Sequence, residues 1–299
     1  MPELPDVEIY CESLTRFYAG RNVERASLRS PFLVRTIEPE LFVIEGRRIL
    51  GFSRLGKRIV WEFDGELFLV LHLMIAGRLR WKEAGARMPA KVGLLALDFS
   101  HGTLILTEAG TKRQASLFVV SGRDALQQYD PGGINVLDAD LAAFAQALRH
   151  DNHTLKRALT DPHLFSGIGN AYSDEILLAA RLSPFKQTGS LSGEETRLLF
   201  EATRVTLAKW IDQLQQETGD GFPEKVTAFR EGMAVHGRFG RPCPDCGSPV
   251  QRIVYASNES NYCATCQTGG RLLADRALSR LLREDWPRSL EDLEGRRKG

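Results

Sequence analysis

Four of the five cysteines of this 299-residue chain lie between positions 243 and 266, as Cys243-Pro-Asp-Cys246 and Cys263-Ala-Thr-Cys266, with sixteen residues between the two pairs. Two Cys-x2-Cys knuckles at that spacing place four thiolates at the corners of a tetrahedron, the geometry zinc prefers. Four sulfur ligands leave no coordination position for water or substrate, so the implied cofactor is one structural zinc ion held by Cys243, Cys246, Cys263 and Cys266. Between the knuckles, residues 251–255 are strand-like and 256–261 turn-like, which predicts a zinc-stapled β-hairpin with its tip near Asn258. The fifth cysteine, Cys11, stands alone, and an odd count without a secretion signal argues against a disulfide framework.

A second chemistry is available at the start of the chain, Met1-Pro2-Glu3. Removal of the initiator Met would leave Pro2 with a secondary amine, which can attack an aldehyde carbon and form an iminium ion that acts as an electron sink. An α-amine of pKa ~8 is roughly one-tenth unprotonated at neutral pH, so such a nucleophile needs no extreme tuning. Glu3 lies within reach as general acid and base. Many chains begin this way, and the reading needs support from elsewhere.

The elements that must position these groups follow from the apolar pattern. Residues 6–18 predict a helix, with Val7, Tyr10, Cys11, Leu14, Phe17 and Tyr18 at three- and four-residue intervals, and Cys11 on that stripe is predicted to be a buried small hydrophobe. Two apolar runs around a turn dipeptide occur twice, at 59–63 and 67–73 around Asp64-Gly65 and at 94–99 and 103–106 around His101-Gly102. Each predicts a hairpin, and together a sandwich or barrel of antiparallel strands. After Asp130-Pro-Gly-Gly133 the pattern turns helical, over 141–148, 155–159, 171–180, 194–214 and 226–229. Residues 271–282 carry leucines on one side and arginines on the other, the pattern of a helix with one solvated face.

Composition excludes several classes. Apolar residues make up 43% and charged residues 26%, an ordinary globular balance that rules out a collagen-like or disordered chain. No apolar run approaches the ~20 residues of a membrane helix, and the first residues lack the basic and apolar regions of a signal peptide, so a soluble, cytoplasmic protein is expected. Lys plus Arg is 39 against 38 Asp plus Glu, so a nucleic-acid partner must be held by a local basic face.

Several motifs in one order carry a resemblance. Met1-Pro-Glu-Leu-Pro-Asp-Val-Glu8 is followed by Gly56-Lys57, by His72-Leu-Met-Ile-Ala-Gly77, by Gly167-Ile-Gly-Asn-Ala-Tyr-Ser-Asp-Glu175, by Val235-His-Gly-Arg238 and by the knuckles ending at Gln267. In these the chain resembles the formamidopyrimidine-DNA glycosylase and endonuclease VIII family of base-excision repair. The resemblance implies an α+β multidomain fold: an N-terminal helix with an antiparallel β-sandwich (1–132, catalytic), a helix-two-turns-helix DNA-binding domain (133–238), a zinc-ribbon hairpin (239–267) and an extension beyond the usual family end (268–299). It implies a monomer acting on damaged double-stranded DNA, bacterial-type and nucleoid-associated when bound. Pro2 would attack C1′ of the damaged nucleotide, Glu3 would move protons, and Lys57, on a sandwich strand, would stabilise charge beside the lesion. His72, Ile75, Lys91, Arg113, Lys156, Asn170 and Asn258 would contact DNA, Asn170 by holding a phosphate with the glycine-rich turn before it.

The chain also departs from the family pattern. Met74-Ile75 stands where a Gly-Met step is usual, so Ile75 would fill the gap left by a flipped nucleotide, with Arg113 opposite the orphaned base. Asn258 stands in place of an arginine at the hairpin tip, which replaces a charge-assisted contact of about 1.5 to 3 kcal/mol by a neutral one of about 0.5 to 1.5 kcal/mol; Arg271, Arg276 and Arg280 could restore that charge. The expected activity is therefore a bifunctional glycosylase and abasic-site lyase for oxidised or ring-opened bases. Two alternatives stay open: a lyase for abasic sites or a glycosylase for an unusual lesion, and a non-catalytic zinc-ribbon protein that binds DNA damage.

Overall fold

The computed structural model describes all residues except 111, 225, 228, 229, 256, 257, 275–280, 282–286 and 298–299, with the backbone alone at 255, 258, 294, 296 and 297. By packing, the chain forms two units, Met1–Pro131 with Trp210–Ala228, and Gly132–Lys209 with Phe229–Gly299.

The first unit begins with helix α1 (Leu4–Tyr18), whose apolar stripe Val7, Tyr10, Cys11, Leu14 and Tyr18 is buried. It starts two residues before the predicted position. The Asp6 carboxylate accepts from the Glu3 N–H at 2.9 Å, which closes the first turn around Pro5, a residue that costs nothing where no backbone donor is needed. Cys11 is buried as predicted; its thiol donates to the Ser53 carbonyl at 3.4 Å, and burial pushes its pKa up, away from reactivity.

Eight strands follow: β1 (Arg25–Leu28), β2 (Ile49–Leu55), β3 (Arg58–Phe63), β4 (Leu67–His72), β5 (Gly77–Lys82), β6 (Gly93–Phe99), β7 (Gly102–Glu108) and β8 (Ser116–Ser121). They form two four-stranded antiparallel sheets, ordered β2-β3-β4-β8 and β1-β6-β7-β5. Both predicted hairpins are present, with Phe63 opposite Leu67 and Phe99 opposite Gly102 across their turns. Trp61, Leu69, Leu71, Leu97, Leu104 and Leu106 share one core with α1. Val60, Phe68, Val70 and Val120 form a second apolar cluster, covered by Ala125 and Leu126 of α2 (Arg123–Gln127). That cover explains why β4 reads as an unbroken apolar run, the pattern of a strand buried on both faces.

The second unit holds α3 (Leu141–Arg149), α4 (Leu155–Thr160), α5 (Asn170–Ala179) and the first part of α6 (Gly193–Thr218). Asp140 caps α3, accepting from Ala143 N–H at 2.8 Å, and Thr154 caps α4. Strands β9 (Gln251–Tyr255) and β10 (Asn258–Tyr262) then make the hairpin, before α7 (Ala264–Thr268) and a C-terminal helix (Leu290–Arg297). Among the described residues no helix is long and apolar enough to cross a membrane.

Three expectations are corrected. Residues 258–261 are strand, not turn, because they pair in register with residues 255–252 of β9. Val226 and Thr227 are not helical; Val226 is buried in the sandwich core, and 228–229 lie outside the described residues. At the start of the predicted 271–282 helix, Arg271 pairs as an isolated bridge with Ser289, and Leu272 and Leu273 are buried without helical structure.

The segment after Trp210 is held to the sandwich by Phe222, whose ring lies 5.7 Å from that of Phe17 and 6.2 Å from that of Tyr10, while Arg16 donates to the carbonyls of Gly219 and Gly221. Phe222→Ala removes both ring contacts at a partly buried site and is expected to cost about 2 kcal/mol, measurable by urea unfolding; a change under 0.5 kcal/mol, to order of magnitude, would mean that the aromatic contact does not hold the segment.

Candidate active site and zinc centre

The amino terminus lies in a desolvated, mixed-charge environment. Pro2 and Glu3 are buried, Glu3 to 3% exposure. Burial lowers the pKa of the Met1 amine, Glu3 opposes that, and the charges of Arg78, Asp6 and Lys57 also act on it. With Met1 attached, the Pro2 nitrogen is a tertiary amide without a free lone pair, and amine chemistry at this nitrogen requires removal of Met1.

Lys57 reaches this environment from a turn and not, as expected, from a strand. Gly56 and Lys57 join β2 to β3, and Gly56 has φ +60°, the conformation for which glycine is chosen at the first central position of a two-residue hairpin turn. The turn is tied down by Arg54, only 6% exposed, whose Nη1 donates to the Gly56 carbonyl at 2.9 Å and whose Nε pairs with Glu8 of α1 at 2.7 Å. Sequence reasoning missed Arg54, since only the fold brings α1 beside the end of β2.

His72 ends β4, opposite Arg58 and Ser116, with its Nδ1 against the Met74 sulfur. Burial first, then Arg58 and Lys57, press its pKa down to about 4. At neutral pH it can offer DNA only a neutral hydrogen bond. Ile75, 64% exposed, is at the tip of the following turn. Met74 has φ +52°, Gly77 N–H donates to the Leu73 carbonyl at 2.9 Å, and Arg78 Nη1 donates to the carbonyls of Ile75 and Gly77 at 3.1 and 2.6 Å. A Cβ at Gly77 would meet the Leu73 carbonyl at 2.3 Å, so the turn closes this tightly only with glycine. Arg113 and Lys91, both exposed, are brought together by a 2.6 Å hydrogen bond from Arg113 Nη2 to the Lys91 carbonyl.

In the second unit Asn170 opens α5, half-buried, after Gly169 as N-cap and Gly167 at φ +81°. The expectation for Lys156 is corrected. It is 2% exposed, with its ammonium on the Asp174 carboxylate at 2.5 Å and the Asn170 carbonyl at 2.6 Å, so it is spent inside the protein and not presented to a phosphate. Glu175 is equally internal, accepting from the backbone N–H groups of Ala234, Val235 and His236 at 2.7, 2.9 and 2.9 Å. The side chain of Asn258 lies outside the described part of the structure, as do Arg276 and Arg280.

The four knuckle sulfurs lie within 4.8 Å of one another, with Cys246 and Cys263 3.4 Å apart. A tetrahedron of thiolates about 2.3 Å from zinc has edges of about 3.8 Å, so the spacing of the set suits one zinc ion. Val235, Val250 and Leu178 pack beside Cys243 and Cys263, the dry surroundings of a structural site.

His72 supplies a pH test. Its folded pKa of about 4 lies below the ordinary 6.5. As pH falls through that window the unfolded chain gains a proton that the folded protein refuses, so stability is lost on acidification, by up to about 1.4 kcal/mol per pH unit for this one group. In denaturant titrations from pH 7 to 4, His72→Gln is expected to flatten this part of the profile; parallel profiles would show that His72 is not held neutral.

Comparison with known proteins agrees with this geometry. Residues 1–114 match the formamidopyrimidine-DNA glycosylase N-terminal domain, 134–220 the formamidopyrimidine-DNA glycosylase H2TH domain and 240–269 the zinc finger found in FPG and IleRS. The formamidopyrimidine-DNA glycosylase of Thermus thermophilus is 34% identical over 285 residues, which cover 90% of this chain and all of that one. An uncharacterized formamidopyrimidine-DNA glycosylase-like protein of Mycobacterium tuberculosis is 42% identical over 151 residues, 50% of this chain and 94% of that one. Among solved structures, the Lactococcus lactis Fpg in complex with DNA containing an abasic site superposes with a TM-score of 0.79 at 26% identity, covering 89% of this chain and 99% of that one. The same protein with DNA containing an oxidized pyrimidine gives 0.78 at 27%, over 89% and 100%. With the three matched parts in order along the chain and full-length relatives above 30% identity, this protein belongs to the formamidopyrimidine-DNA glycosylase family, the DNA glycosylases of DNA repair.

Proposed function

We propose that the protein is a bifunctional glycosylase and abasic-site lyase that acts as a monomer on damaged duplex DNA, with Pro2 as nucleophile once Met1 is removed. The observation that carries this reading is the burial of the chain's start beside Glu3, within the field of Lys57 and Arg78. A Pro2 amine released at this buried place would be desolvated, which favours its neutral, attacking form.

In the reaction the Pro2 nitrogen bonds to C1′ and the glycosidic bond breaks, its electron pair leaving with the base. The proton of the Pro2 nitrogen passes to the departing base, Glu3 delivers a proton to the sugar ring oxygen, the ring opens, and the freed nitrogen lone pair forms the C1′ iminium. The Glu3 carboxylate then takes the C2′ proton, and the electron pair of that bond moves through the resulting enamine to expel the 3′ phosphate. Water hydrolyses the remaining conjugated iminium and returns the free secondary amine. Lys57 and Arg78 act through their positive field on the phosphate charge that develops. Ile75, at the tip of the pinned turn, takes the space of the flipped nucleotide, and Asn170 with its glycine turn holds a backbone phosphate.

Borohydride reduction of the iminium tests the nucleophile. The mature protein is expected to form a covalent adduct with abasic duplex DNA, and an N-terminally acylated form, or the variant Glu3→Gln, to lose at least about two orders of magnitude in rate. Tight binding without an adduct would favour a non-catalytic damage-binding protein. Activity on abasic sites with none on 8-oxoguanine, formamidopyrimidine or oxidised pyrimidines would favour the pure lyase.

The neutral Asn258 predicts incomplete second elimination. The major 3′ end is expected to be the unsaturated aldehyde of the first elimination, and Asn258→Arg to shift it toward 3′ phosphate while tightening duplex binding by about 1 kcal/mol. Gel analysis of end-labelled product reads both; a 3′ phosphate already dominant in the natural protein would refute the assignment.

A further inference from the structure

The Asp174 carboxylate is fully buried, and charged and polar groups from three separate segments converge on it. Lys156 of α4 donates to Oδ1 at 2.5 Å, and Ser260 of β10 lies 3.4 Å from the same oxygen. His236 Nδ1 lies 2.8 Å from Oδ2, to which Asn261 of β10 donates at 3.2 Å. The network continues at both ends. Lys156 also donates to the Asn170 carbonyl at 2.6 Å, and Asn261 is two residues from the zinc ligand Cys263. Glu175, the next residue on α5, binds three backbone N–H groups of the 234–236 segment, so two successive carboxylates of one helix clamp that segment by its side chain and its main chain.

We propose that Asp174 is a positioning residue that couples the zinc hairpin to the 167–170 turn, so that the ordering of the hairpin by zinc also fixes Asn170. The floor of the Asn170 turn is a lysine whose place is set by Asp174, and the same carboxylate is the anchor for two side chains of β10. A buried ammonium and a buried carboxylate at this distance have one arrangement in which both are satisfied. Displacing β10 removes two hydrogen-bond partners from Asp174, which loosens its hold on Lys156 and with it the start of α5. An apolar cluster in the same place could pack as densely, but it would tolerate sliding of the hairpin against α5; directional bonds to both oxygens do not.

The inference deepens the phosphate-holding reading of Asn170 and rests on it only for the effect on DNA. Hydrogen exchange of the amides in 167–173 is compared in the zinc-loaded protein and after chelation, for the natural chain, for Asp174→Asn and for the double variant Asp174→Asn with Lys156→Met, which leaves no unpaired buried ion should the single variant not fold. In the natural chain, zinc removal is expected to speed exchange in 167–173 at least tenfold. In the folded variant that exchange is already fast and responds less than twofold to zinc, zinc release to a chelator is faster by about tenfold, and KM for an abasic duplex rises more than kcat falls. Exchange in 167–173 that ignores zinc in the natural chain, or a variant that retains the full zinc response, overturns the coupling. A coupling present in exchange and zinc release, with KM unchanged, leaves Asp174 in the role proposed here and removes Asn170 from phosphate binding.

Discussion

An ionisable group taken out of water keeps a defined charge state only where other protein groups replace the solvent, and each unit of this chain is arranged around such a group. In the first it is the amine of Met1, beside the buried Pro2, whose burial favours the neutral form while Glu3 pulls the other way. In the second it is Asp174, whose two side-chain oxygens meet Lys156, His236, Ser260 and Asn261. The two cases differ in sign. An amine meant to attack must be desolvated without being fully paired, because a complete ion pair would hold its proton. A carboxylate meant to position must be paired at both oxygens, because any unmet lone pair at zero exposure destabilises the fold.

The sandwich exists, from this viewpoint, to keep the amine in that intermediate condition. A flexible start of chain would be solvated. Here the Glu3 N–H is fixed by Asp6, α1 is sunk in the core by Tyr10, Leu14 and Tyr18, and the β2–β3 turn is bolted to α1 through Arg54. Arg78 has two tasks, since its guanidinium holds the carbonyls of the Ile75 turn while its charge bears on the amine. The Ile75 turn and the start of the chain therefore share Arg78 as a neighbour.

Features that depend on neighbours in sequence were readable in advance: the knuckles by their spacing, the hairpins by Asp64-Gly65 and His101-Gly102, the buried Cys11 by helical period. Features that depend on partners far along the chain were not. Lys156 looks like any helix-surface lysine because its counter-charge is at Asp174 and the remaining members of that cluster are past position 235. Arg54 and Arg78 carry no motif, and their importance comes from what the sheets bring beside them. Phe222 sits in a glycine-rich loop with no helical or strand period to place it, and only the fold packs its ring on α1. The roles proposed for Pro2, Glu3 and Lys57 rest on amine chemistry and motif order, and the fold buries Pro2 and Glu3 and sets Lys57 in the β2–β3 turn.

The C-terminal extension shows how apolar and charged readings of one segment compete. Its arginines suggested a replacement for the charge absent at Asn258. The described part contributes something else: Leu272 and Leu273 are buried with Ile253, Tyr262 and Ala264, joined by Leu290 and Leu293, and the Tyr262 hydroxyl accepts from the Leu273 N–H at 2.8 Å. A two-stranded hairpin cannot bury a core alone, and zinc fixes only the end that carries the cysteines. Apolar cover along β9 and β10 holds the rest of the ribbon, where Ser260 and Asn261 must meet Asp174. The described part of the extension therefore acts on the ribbon through apolar packing, and it is this packing that sets β10 where its two polar side chains meet Asp174.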